Sequence, residues 1–89
     1  MKLSLKEWEK VLDYAHLCAD ELNFKYNLNV KVKVYRMYDG SAGVSLQLFD
    51  KYNNFFSEYL SGTHSATDEY IDSIKHCYFR IKEEAAEND

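Results

Sequence analysis

The sequence predicts an α+β fold of order αβββα, a three-stranded antiparallel sheet with two helices packed on one face. Three observations carry that reading. Apolar residues recur at a helical period up to residue 26, alternate from residue 28 onward, and return to the helical period after residue 66. Turn-forming clusters fall at 39–43, 51–54 and 62–65. Helix-start signals stand ahead of both helical stretches.

The first helix is expected over 5–25. Ser4-Leu5-Lys6-Glu7 has the form of a capping box, in which the Ser hydroxyl and the Glu carboxylate each satisfy a backbone N–H of the first turn. Trp8, Val11, Leu12, Ala15, Cys18, Ala19, Leu22 and Tyr26 then form one core-facing stripe, with Tyr14, Leu17 and Phe24 expected to widen it. The first strand is expected over 28–38, where Leu28, Val30, Val32 and Val34 alternate with Asn29, Lys31, Lys33 and Tyr35. Asp39-Gly40-Ser41-Ala42-Gly43 makes the hairpin turn, and Val44, Leu46 and Leu48 give the second strand, 43–50, the same one-sided pattern. A third strand is expected over 55–61. There Phe55/Ser57/Tyr59 and Phe56/Glu58/Leu60 compete for the inner face, and the pattern leaves the choice open. The second helix is expected over 66–84, opened by Ser65-Ala66-Thr67-Asp68 and buried through Ile71, Ile74, Tyr78, Ile81 and Ala85. An acidic tail at 85–89 then frays, because its acids sit at the negative end of the helix dipole.

With 89 residues, no proline and three glycines, the chain is read as a single domain over 1–89. No apolar run approaches membrane-spanning length and the first residues are charged, so a cytoplasmic protein with no membrane contact is expected. Two cysteines, Cys18 and Cys77, are too few to staple an extracellular scaffold and are read as reduced thiols, which antiparallel helices would bring together. Charge is uneven, with a net −1 over 1–27, +2 over 28–51 and −5 over 52–89.

Several chemistries find no support in the spacing. His16 with Cys18 and His76 with Cys77 diverge around a helix, so neither pair converges on a metal, and no metal or cofactor is expected. Both cysteines fall mid-helix, away from the positive helix end that activates a thiol. No Gly-rich phosphate loop or nucleophile elbow is present, so the chain is read as non-catalytic, with no catalytic residue. The order of elements is also that of double-stranded RNA-binding domains. Those domains start their second helix with lysines, whereas this chain has Ser65-Ala66-Thr67-Asp68-Glu69, which repels phosphate.

What remains is a sheet face with no helix left to cover it. Its expected members are Lys31, Lys33, Tyr35 and Met37, then Ser45, Gln47 and Phe49, with Tyr59 from the third strand. Fourteen aromatic residues exceed what so small a core needs, and exposed Tyr and Trp commonly anchor interfaces. Glu58, Asp68, Glu69 and Asp72 form a second, acidic set able to steer a basic partner. These point to a non-catalytic protein-binding module, an inhibitor or adaptor. The alternatives are a single-stranded nucleic-acid binder using the open face, or a homo-oligomeric structural module such as a homodimer. In size, AT-rich residue usage, acidity and lack of catalytic motif, the chain resembles the small accessory proteins of phages and mobile elements, which include anti-CRISPR and other anti-defence inhibitors. That resemblance implies a protein target with a basic nucleic-acid-binding groove, which the acids of residues 58–89 would approach in place of phosphate.

Overall fold

The computed structural model describes residues 3–87. It contains helix α1 (Leu5–Lys25), strands β1 (Asn29–Arg36), β2 (Ala42–Phe49) and β3 (Phe55–Leu60), and helix α2 (Thr67–Glu87). The strands form one antiparallel sheet in the order β1-β2-β3. Both helices cover the same face, α1 chiefly over β1 and α2 over β2 and β3. This is the αβββα architecture that the change of period predicts. No helix among the described residues is long and apolar enough to cross a membrane.

α1 begins at the capping box, with Glu7 N–H donating to Ser4 Oγ at 3.2 Å and Ser4 N–H to Glu7 Oε1 at 2.9 Å. The Ser4 backbone N–H foremost, then the Ser4 side chain, holds the Glu7 carboxyl below its ordinary pKa. The helix ends where Asn27 takes a left-handed conformation, φ 56°, which asparagine tolerates better than most residues. Its buried stripe is Val11, Ala15, Cys18, Ala19 and Leu22. Leu17 and Phe24 do not widen that stripe. They share the opposite side of the helix, seven residues apart, and stand 63% and 88% exposed, because α1 touches the sheet and α2 through one arc only.

The inner sheet face stacks Val30 beside Leu48, Val32 beside Leu46 and Val34 beside Val44. On β3, Tyr59 lies beside Leu46 and Ser57 beside Leu48, which settles the competition between its two residue sets. A register shift between Leu48 and Phe49 then pairs Phe49 with Phe55, so Phe56 is the extra residue of a β-bulge. Without that bulge Phe55 would share the inner face of Ser57 and Tyr59. The bulge turns it outward.

β1 stops at Arg36 and leaves Met37 and Tyr38 in the hairpin loop. Met37 N–H bonds to Ser41 O at 2.9 Å there, and Gly40 supplies a left-handed φ of 84°. α2 runs through Ala85 and Ala86 to Glu87, so the helix outlasts the expected end at residue 84. Good helix formers at 83–87 outweigh the unfavourable dipole. Asn88 and Asp89, the rest of the expected tail, lie outside the described residues.

The helices run parallel. Trp8 packs against Tyr70 in a tilted ring contact, centroids 5.1 Å apart, near their N-termini, and Lys82 lies over the Tyr26 ring at 4.9 Å near their C-termini. The antiparallel packing considered for the two thiols is therefore not the one adopted: three intervening strands return the chain to its starting direction. Cys18 and Cys77 are nonetheless both buried in the core and unbonded. Burial raises both thiol pKa values, that of Cys77 to about 11.

Candidate functional site

The sheet face away from the helices carries Asn29, Lys31, Lys33 and Tyr35 from β1, paired in turn with Phe49, Gln47, Ser45 and Gly43 of β2. β3 adds Leu60 beside Ser45, Glu58 beside Gln47 and Phe55 beside Phe49. No second layer among the described residues covers this face. The period of two places its members there: once the valines of β1 and the leucines of β2 face the helices, every intervening residue faces outward.

Glu58 is the hub of this face. Its Oε2 accepts from the Tyr35 hydroxyl, from Ser45 Oγ at 2.8 Å and from Gln47 Nε2 at 2.9 Å, linking all three strands. The Tyr35 hydrogen bond foremost, with help from Ser45 and Gln47, holds the Glu58 carboxyl below its ordinary pKa. Opposite Tyr35, Gly43 lets the chain after β3 pass close, since a Cβ there would lie 3.1 Å from the Gly62 carbonyl oxygen and 3.5 Å from Leu60. Ser45, shielded by these neighbours, is buried although it points away from the core.

A second cluster surrounds Phe49. Lys31 Nζ lies 4.2 Å from the ring centroid and donates to Asn53 Oδ1 at 2.8 Å, while Phe55 meets the ring edge-on at 5.9 Å. Asn53 is held by Asn29 at 3.0 Å in a turn built on Asp50, whose Oδ1 accepts from the N–H groups of Tyr52 and Asn54. Lys33 lies 4.8 Å from the Tyr35 centroid. Each lysine thus has its ammonium group over an aromatic ring, an arrangement that favours one orientation of the pair.

The structure brings together six of the residues expected on this face, Lys31, Lys33, Tyr35, Ser45, Gln47 and Phe49. Met37 sits beyond the end of β1 in the hairpin loop, 40% exposed. Tyr59 is on the other face: it packs against the core, donates its hydroxyl to Glu84 of α2 and carries Arg80 over its ring at 5.2 Å. The expected acidic set is divided as well. Glu58 belongs to the open face, whereas Asp68, Glu69 and Asp72 are exposed in the helix layer on the far side of the sheet. Glu69 is partly engaged, accepting from Ser65 Oγ at 3.3 Å and standing 3.9 Å from His64 Nδ1. Phe55, Glu58 and Leu60 are the members of the face that alternation alone does not assign, since the bulge and the register of β3 decide them.

One further cluster has a suggestive composition. His64 Nε2 lies 2.9 Å from Ser73 Oγ, and Glu69 stands near its other nitrogen. Nε2 also lies 2.8 Å from the Ser61 carbonyl oxygen, which can only accept. With its proton given to that carbonyl, Nε2 is not placed to take one from Ser73, and the ring instead ties the turn after β3 to α2. Among the described residues no group of three or more His, Cys, Asp or Glu side chains is placed to hold a metal ion. His16 and His76 are exposed while Cys18 and Cys77 are buried, so each His/Cys pair diverges as its spacing predicts.

Compared with known proteins, the chain matches no family model, no curated protein and no solved structure. The fold and its surfaces are therefore the basis for a functional reading.

Proposed function

We propose that this chain is a non-catalytic protein-binding module, an inhibitor or adaptor of the kind carried by phages and mobile elements, and that it binds through the open sheet face. The observation that supports this most is the uncovered cluster of Tyr35, Phe49 and Phe55 with Lys31, Lys33 and Glu58, whose side chains already hold one another in place. Aromatic groups fixed before binding lose little entropy on contact, which is what makes them effective anchors. The acids of α2 act at longer range in this reading, steering a partner that presents a basic surface, such as a nucleic-acid-binding groove.

The test is affinity capture from lysate of the source cells, with and without nuclease, using the wild type beside Tyr35→Ala and Phe49→Ala. The expected result is one stoichiometric protein that survives nuclease and binds each variant more weakly by about 1–3 kcal/mol. Wild-type recovery by both variants, with folding intact, would move the site off this face. A second reading uses the same rings: bases of a single strand stacking on Tyr35 and Phe49 beside the two lysines. It predicts oligonucleotide binding that weakens steeply with salt, against which stand Glu58 at the centre of the face and the net charge of −4.

A further inference from the structure

We infer that the free edge of β3 is a strand-addition site, and that it takes an extended segment of a partner protein in which a basic side chain facing Glu58 adjoins an acidic one facing Arg80. The inference rests on the protein-binding reading above and specifies the partner's chemistry.

The two edges of the sheet are built differently. Residues of an antiparallel edge strand alternate between bonding their neighbour and pointing their N–H and C=O groups outward. On β1 the outward row includes Val30, and Asn23 of α1 occupies it: Val30 N–H donates to Asn23 Oδ1 at 2.6 Å, and Asn23 Nδ2 to Val30 O at 3.0 Å. Lys31, Lys33 and Arg36 line the rest of β1, and charges of that kind discourage pairing. On β3, Ser61 N–H donates to Val44 O at 2.7 Å, so by the same alternation Ser57 and Tyr59 bond β2 while Glu58 and Leu60 point outward. No side chain among the described residues bonds those outward groups. β3 contains no lysine, arginine or proline, and Phe55, Phe56 and Leu60 are 59%, 51% and 48% exposed. The β1 edge is plugged at Val30 and lined by basic residues; the β3 edge has no such plug, and Glu58 is its one charged residue.

The charges beside the β3 edge define what fits it. On the open-face side, the three donors to Glu58 all go to Oε2, which leaves Oε1 without a donor among the described residues. On the helix side, a groove of about 250 Å³ runs between β3 and α2, walled by Tyr59 and Leu60 on one side and by Ser73, His76 and Arg80 on the other. Adjacent residues of an added strand face opposite sides of the sheet. The residue meeting Glu58 and its neighbour meeting Arg80 therefore need opposite charges. A second copy of β3 does not supply them: paired about Glu58 it sets carboxylate against carboxylate, and it has no basic residue in any register.

A library of nine-residue peptides displayed on yeast, selected with the full-length chain and with Glu58→Lys and Arg80→Glu, tests this. Wild type is expected to enrich peptides with Lys or Arg next to Asp or Glu, and Glu58→Lys to weaken the selected peptides about tenfold and to select an acid in place of the base. A selected peptide, made synthetically, should slow hydrogen exchange at the Glu58 and Leu60 amides of the wild type, a measurement that needs no variant to fold. Failure to enrich any peptide, enrichment without the paired charges, or unprotected Glu58 and Leu60 amides would overturn the proposal. Peptide-induced shifts confined to Tyr35 and Phe49 would also overturn it while leaving the open-face reading intact. Concentration-dependent self-association of the free chain with those amides protected would overturn it in favour of a second copy as the occupant.

Discussion

Glu58 is an exposed carboxylate with an unusual number of partners, and its titration follows from them. Its folded pKa is lowered, first by the Tyr35 hydroxyl, so the stabilisation it brings is complete above the ordinary glutamate value of about 4.3. That stabilisation is lost as pH falls through the lowered folded value. In a carboxyl NMR titration Glu58 should turn over at lower pH than the free glutamates, and Tyr35→Phe should move it back toward them. An unmoved midpoint would show that Ser45 and Gln47 carry the effect. The residue types of this hub stand in the sequence as Tyr35, Ser45, Gln47 and Glu58, and alternation places the first three together. Glu58 could not be added from the pattern, because FFSEYL is apolar on both of its faces and alternation separates faces only where they differ in polarity.

Among the elements, β1 and β3 show how edge strands depend on what lies beside them. Asn23 comes from α1, seven residues before the Val30 groups it bonds, and replaces at that point the neighbouring strand that β1 lacks. Asn23→Ala leaves a part-buried N–H and C=O without these partners and should cost about 1–2 kcal/mol. Each kcal/mol corresponds to a fall in Tm of about 4–8 °C for a chain of this size, readable by thermal denaturation. Faster hydrogen exchange at the Val30 amide should accompany it, and an unchanged Tm would mean that water serves those groups equally well. The capping box shows the opposite case. Ser4 and Glu7 are three residues apart, so a helix start is decided within one turn of chain and can be read directly from the residues.

For the whole molecule, the parallel packing of α1 and α2 follows from chain direction, since an odd number of antiparallel strands lies between them. It gathers Ser4, Glu7, Thr67, Asp68 and Glu69 at one end, where acids favour both helix dipoles. It also buries Cys18 and Cys77 within one core, where loss of hydration raises both thiols above the ordinary cysteine pKa. Neither thiol should react with a disulfide reagent at pH 8 while the chain is folded, and both should react at once in denaturant. The slow native rate then reports opening of the core. Rapid native labelling of either cysteine would contradict the packing of the helix pair.

Helix and strand identity, the order of elements, the capping box, the turns and the outward row of β1 and β2 were all determined by the sequence itself. Each depends on propensity or period within a few residues, and the polar and apolar members of those periods are well separated. The tertiary structure alone decided the inner face of β3, the outward turn of Phe55, the removal of Tyr59 to the helix side, the exposure of Leu17 and Phe24 and the division of the acids between two surfaces. These depend on which neighbour an element meets. A bulge costs one residue of register and reverses the faces beyond it, and that choice is made by pairing with Leu48 and Phe49 rather than by anything local to residues 55–60.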